Sequence, residues 1–384
     1  MADVRLIFQT MESGVIKSYI WTFVNRFLHY FLILTFVLAY LCADIDAWIY
    51  FHCVFGILFG VGVLLRIVWG FVGTKHSLFK DFKFRGILEY LLSILGEKKH
   101  YVGHNPASSL AIVLMFVLGL GTMLSGMLQY GAEEQGGIFS NLFFEYSYFE
   151  AFEDLHEFFA NALLGVIIIH ICGSLIDKFI NKNDALDSMI SGYKRTIREE
   201  SVVLNFTQKI LFAVYLVFLF VLLVYLLFPN NMLLRPSARN IFAQETLREY
   251  TKECGSCHIA YAPYLLPKSA WDSMMSDLEN HFGEDASLEQ ESHARISAFL
   301  NQYSSDFVET KISSKIAKEP QNILAITKYP YWEVAHQDID PALFETQAIK
   351  SKANCQTCHK DAESGIFAKG AIDYSKLKSL KENL

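Results

Sequence analysis

Five apolar runs, at about 20–42, 48–71, 106–128, 152–176 and 203–228, constrain this chain more than any other feature. A bilayer core takes about 20 predominantly apolar residues in a helix, and within lipid only helices or closed barrels satisfy their own backbone. The runs therefore predict an all-α, five-helix transmembrane bundle over residues 1–228, then a linker over 229–244 and a water-soluble domain over 245–384. The averages, 52% hydrophobic and 19% charged, blend those unlike halves. They exclude intrinsic disorder and a purely soluble enzyme. A net charge of −7 without a basic cluster argues against nucleic acid as a partner. The first run begins too far in for a cleavable signal peptide, so residues 1–19 read as a short amphipathic lead-in.

Lysine and arginine placement sets the orientation. Arg5, Lys17 and Arg26 precede or open the first run; Lys75 to Lys99 follow the second; Lys178 to Arg198 follow the fourth. The alternate loops carry only acids, among them Asp44, Asp46, Glu133, Glu134, Glu145 and Glu150. The positive-inside rule then predicts a cytoplasmic N-terminus in a bacterial inner membrane, with everything after Pro229 periplasmic.

Three cysteines, Cys42, Cys53 and Cys172, lie inside runs and read as small apolar fillers. The other four form Cys254-Gly-Ser-Cys257-His258 and Cys355-Gln-Thr-Cys358-His359. C-x-x-C-H is the signal for c-type haem attachment: two thiols add across the vinyl groups and the adjacent imidazole becomes an axial iron ligand. A zinc ribbon or a redox dithiol would need cysteine pairs but no histidine directly after each. Each c haem still needs a sixth ligand, and His281, His293, His336, Met274 and Met275 are the candidates. His293, in a polar helical stretch, reads as a surface residue.

Ionisable residues inside spans are costly and usually functional. His29, His52, His156 and His170 lie in the first, second, fourth and fourth runs. The step from His156 to His170 returns to nearly the same helix face about 21 Å further along the axis. By depth, His52 matches His156 near the outer surface, and His29 matches His170 near the cytoplasmic one. That arrangement suits two stacked b haems, each held by two helices. Arg66 is a candidate counter-ion to a haem propionate, with snorkelling to the interface as the alternative. His100 and His104, at the entrance to the third run, are candidates for quinone chemistry or plain interfacial residues, Asn105-Pro106 starting the helix. Glu153, Asp154 and Glu157 read as the end of a span. The fifth run carries no histidine and reads as a tether for the outer domain.

Two resemblances follow from these motifs. Residues 253–373 resemble the dihaem cytochrome c family through Glu253-Cys254-Gly-Ser-Cys257-His258-Ile-Ala-Tyr261, Leu265-Leu266-Pro267 with Trp271, His281-Phe282-Gly283, His336, and Asn354-Cys355 onward. The family's two bis-histidine haems imply His281 and His336 as distal ligands, without saying which serves which motif. The chain departs from the family at Ala262-Pro263-Tyr264, where a Pro-Pro-Gly type turn is usual. Residues 16–200 resemble the bacterial cytochrome b561 and hydrogenase-type cytochrome b superfamily through Asn25-Arg26-Phe27-Leu28-His29-Tyr30, His52 with Gly56, Arg66 to Gly73, His104-Asn105-Pro106, and Leu155-His156-Glu157 through His170. That resemblance implies the four intramembrane histidines as b-haem ligands.

The expected function is electron transfer through two b haems and two c haems, between the quinone pool and a periplasmic cytochrome c or other soluble redox protein, most simply from quinol outward. The dihaem resemblance suggests a small oxygen-binding class I cytochrome c as one such acceptor. The alternative is an anchor subunit delivering electrons from a periplasmic hydrogenase or dehydrogenase to quinone. A haem-based sensor would need a cytoplasmic effector domain, and direct metal reduction an exposed c haem. Membrane lipid surrounds the bundle, and a homo-oligomer is compatible with the sequence.

Overall fold

The computed structural model describes residues 16–93, 101–140, 146–228, 230–235 and 245–382. His100, Glu145 and most of the 229–244 linker lie outside the described residues, as does most of the lead-in.

The chain is mostly helical. Its long apolar helices are α1 (Phe23–Cys42), α2 (Ile49–Val72), α4 (Pro106–Glu133), α5 (Tyr146–Phe179) and α7 (Phe206–Leu227), with short α3 (Ile87–Ser93) and α6 (Ala185–Ser191) between them. Among the described residues, five helices are long and apolar enough to cross a membrane. Their starts follow capping chemistry. Asn105 accepts from the Ser108 N–H at 2.7 Å ahead of Pro106, and Asn205 and Gln208 form a reciprocal capping box at the head of α7.

One feature departs from the all-helical expectation. Ile16–Tyr19, at the end of the lead-in, is a strand, β1, pairing antiparallel with β2 (Tyr193–Thr196). The buried Ser18 and Thr196 hydroxyls meet across it at 2.6 Å.

The chain divides into two compact units: Met1–Ala43, Phe51–Gly126 and Asp154–Phe228 form the first, while Asp44–Tyr50, Met127–Glu153 and Pro229–Leu384 form the second. In the first, Val24, Leu28, Trp69 and Tyr215 make a buried cluster, and Trp69 donates its indole N–H to the buried Asn25 side chain at 2.7 Å. This explains why a polar asparagine sits on an apolar face: its partner is buried with it.

The second unit is built on α8 (Glu245–Cys254), α9 (Lys268–Met275), α10 (Gln290–Gln302), α11 (Lys311–Ile316), α12 (Pro330–Ala335) and α13 (Tyr374–Glu382). Its core includes Tyr250, Leu266, Trp271, Met275, Ile296 and Leu300. The turns preceding α2 and following α4 belong to this unit: Lys369 pairs with Asp46 at 2.9 Å, its backbone N–H donates to Glu134 at 2.7 Å, and Lys311 pairs with Glu133.

Candidate functional site

Each C-x-x-C-H motif is wound into one turn. The first follows α8, where the Gly255 N–H reaches the Thr251 carbonyl at 3.0 Å. A Cβ at Gly255 would collide with that oxygen, so this turn requires glycine. In the second, the Cys355 carbonyl accepts from the Cys358 N–H at 3.1 Å and the His359 N–H at 2.8 Å. All four thiols are free. Burial pushes Cys254 and Cys355 up to about 11, the reverse of the lowered thiol pKa that a redox dithiol uses.

The two loops are laced together. Tyr261, beyond the first motif, donates its hydroxyl to the carbonyl of Ala353, just before the second, at 2.7 Å.

Each motif histidine faces one of the expected distal histidines. The His258 and His281 ring centroids lie 6.2 Å apart, with planes 25° from parallel. Those of His336 and His359 lie 6.1 Å apart at 68°. His281 is presented by a tight turn: it exchanges backbone hydrogen bonds with Glu284 at 2.9 and 3.1 Å, with φ of +53° at Phe282 and +96° at Gly283. Positive φ at both central positions is the type I′ signature, and a phenylalanine there is strained. His336 caps α12 with its ring stacked on Trp332 at 4.2 Å. Burial lowers His359 to about 4, helped by His336, and burial also lowers His281 and His336. These imidazoles stay neutral, the form that ligates metal.

The remaining candidates are engaged elsewhere. Contrary to its reading as a surface residue, His293 is partly buried with its Nε2 2.8 Å from the Met275 carbonyl. Met275 is buried in the apolar core with Met274 packed against it.

In the first unit, His52 and His156 come together at 6.0 Å between centroids and 86° between planes. Each Nδ1 faces a backbone carbonyl, Ala39 at 2.9 Å for His52 and Thr122 at 3.0 Å for His156. Donation from Nδ1 leaves Nε2 with its lone pair free for a metal. His258 and His336 repeat the pattern, with Nδ1 2.7 Å from the Ile259 carbonyl and 2.8 Å from that of Trp332. A Cβ at Gly126 would lie 2.8 Å from the His156 ring, so glycine allows α4 to approach it. At Gly56 and Gly165, by contrast, a Cβ would meet nothing within 4 Å. His29 lies within electrostatic range of His170 and Arg66, and its Nδ1 is buried without a hydrogen-bond partner.

These separations permit a fit test for haem. Two metal–imidazole bonds of about 2 Å, with the ring radius added on each side, put the centroids across a six-coordinate iron roughly 6 Å apart. Three of the pairs meet that figure.

His76 stands in no motif of the sequence. It is 3% exposed, with Asp81 and Glu200 carboxylate oxygens 3.5 and 3.6 Å from its two ring nitrogens. No local signal marks it, because one of its partners arrives from beyond β2. His104 stands out in the sequence only for its place at the α4 entrance. Its ring is held between Trp21 and Phe82, each 4.8 Å away.

Comparison with known proteins points to the same chemistry. Residues 20–192 match the family model of the prokaryotic cytochrome b561, and residues 250–367 match that of the dihaem cytochrome c. The second region is also similar to a solved dihaem cytochrome c from Rhodobacter sphaeroides, 34% identical over 31% of this chain and 94% of that one, at a TM-score of 0.28. The chain joins a cytochrome b561 membrane domain to a dihaem cytochrome c domain. A dihaem cytochrome from Shewanella baltica OS155 is similar to the same region, 32% identical over 34% of this chain and 95% of its own, at a TM-score of 0.29. The b561 domain is similar to a protein named as a probable Ni/Fe-hydrogenase B-type cytochrome subunit in Rhodobacter capsulatus, 27% identical over 39% of this chain. A counterpart in Cupriavidus necator is 26% identical over 37% of this chain. The chain spans 63% and 65% of the length of those relatives. The b561 family binds b haems and the dihaem family two c haems, which implies electron transfer.

Proposed function

We propose that this protein carries electrons between the membrane quinone pool and a soluble periplasmic redox protein, in the direction from quinol outward. In this reading His29 with His170 and His52 with His156 would hold two b haems. Cys254, Cys257 and His258 with His281 would hold one c haem, and Cys355, Cys358 and His359 with His336 the other. Bound haem supplies one-electron redox chemistry. The chain would supply two imidazole nitrogens at each site and covalent tethers at two of them, and backbone carbonyls fix four of the eight rings. Two histidines at each site would leave no open position for a small molecule, which favours electron transfer over gas binding or catalysis. The observation that carries the reading is the spacing of about 6 Å shared by His52–His156, His258–His281 and His336–His359.

Anaerobic mixing of the full chain with a reduced menaquinol analogue, following b and c α-bands separately, tests it. Prompt b reduction followed by c reduction is the expected result. If dithionite reduces all haems but the quinol reduces none, direct quinol oxidation is wrong.

A second reading is favoured by the names of the curated relatives. A periplasmic hydrogenase or dehydrogenase would deliver electrons to the c domain, and the b domain would pass them to quinone. Reduction of the b haems from the c side, with an added quinone then being reduced, would select it.

A further inference from the structure

Arg66 is a buried cation, 9% exposed, in the middle of an apolar helix. Its guanidinium lies 5.9 Å from the Phe116 ring centroid, and its Nη1 is buried without a hydrogen-bond partner. A buried charge left unpaired is among the costliest arrangements a protein can hold, so an anion belongs there. His104 adds a second unfilled position, since its Nδ1 is also buried and unpartnered. Arg66, Lys194, His76 and His170, all bases, lie within electrostatic range of His104. Lys194 spends its ammonium on the carbonyls of Tyr101 and Val102, and His76 is bracketed by Asp81 and Glu200. Both ring nitrogens of His76 lack a hydrogen bond as well, but each has a carboxylate within 3.6 Å, whereas Arg66 Nη1 and His104 Nδ1 are buried donors with no acceptor among the described residues, within electrostatic range of His29 and His170 respectively. Trp21 and Phe82 lock the His104 ring plane between them, so this donor is preorganised.

We propose that Arg66 and His104 together form a carboxylate cradle, and that its occupant is a propionate of the haem held by His29 and His170. The inference rests on the b-haem reading above and adds His104 as a positioning residue. A guanidinium and a neutral imidazole N–H can share one carboxylate, the first by a charge-assisted bond and the second by an ordinary one. Such a carboxylate also discharges the buried cation.

The experiment uses the full chain in detergent with the variants Arg66→Gln and His104→Ala. It reads b-haem stoichiometry, the midpoint potential of each b haem, and infrared redox-difference bands of haem carboxylates labelled with carbon-13. The expected result is that both variants shift a labelled carboxylate band. Arg66→Gln also lowers the potential of one b haem and leaves the other unmoved, because a positive charge near the iron favours the reduced state. Should either variant lose that haem, Arg66→Lys and His104→Gln restore it with the band displaced. Unshifted labelled bands, or equal movement of both b haems, would overturn the cradle. A shift confined to unlabelled bands assigns the site to another carboxylate and overturns the propionate. A wild-type chain without b haem would instead sink the electron-transfer reading itself.

Discussion

His258 and His281 face each other across 6.2 Å with nearly parallel rings, whereas His336 and His359, at 6.1 Å, are turned 68° apart. Ring orientation sets how the two axial ligands split the iron d orbitals. The two c haems are therefore expected to give different low-spin EPR signals, rhombic for the near-parallel pair and strongly anisotropic for the crossed pair. His281→Ala should convert only the rhombic signal to high spin, and His336→Ala only the other. EPR of the oxidised variants checks this, and the opposite assignment would mean that the ring planes of the two pairs are not oriented as 25° and 68° require.

Replacing Cys355 and Cys358 by serine should remove one of two covalent haems while leaving the b α-band intact. The same replacement at Cys254 and Cys257 should do likewise. Haem-stained gels read the covalent fraction, and the expected outcome is half the wild-type staining for each pair. Full staining in either double variant would rule that motif out as an attachment site.

Leu300 is 1% exposed within the core that also buries Ile296 and Trp271. Leu300→Ala removes packed methyl groups and leaves a cavity, which costs about 2–5 kcal/mol in cores of this kind. The loss should appear as a lower melting temperature of the c-type domain, followed by haem absorbance or tryptophan fluorescence. An unchanged melting temperature would mean that this helix does not bear on domain stability.

The five long helices were legible because a run of about 20 apolar residues has few alternatives. α4 and α5 nonetheless extend past their apolar runs, to Glu133 and back to Tyr146, since a helix continues into polar residues until its caps intervene. The match of His52 with His156 was also legible, because depth in a helix is simple arithmetic. The pairing of His281 and His336 with their motifs was not, since it depends on a type I′ turn and on the docking of α12, neither of which leaves a pattern in the motif residues. The strand pairing of Ile16 with Thr196 was hidden for the same reason: four residues carry too little periodicity, and the partner is remote. Likewise, nothing local to His76 announces Glu200.

Glu134 closes the turn after α4 and is 5% exposed. It accepts the Lys369 backbone N–H at 2.7 Å. Burial, reinforced by Glu133, raises it to about 7 from its usual 4.5. The folded state thus holds a proton that the unfolded state has already released between those two values. By linkage, stability is fully present below about 4.5, falls as pH rises toward 7, and levels off above. The difference corresponds to about 3 kcal/mol at most, at about 1.4 kcal/mol per pH unit. Glu134→Gln, which keeps an acceptor for Lys369 and never ionises, should flatten this slope and stabilise the domain above pH 7. Melting temperatures of wild type and variant from pH 4.5 to 8 provide the check. Parallel curves would show that Glu134 ionises with its ordinary affinity for protons.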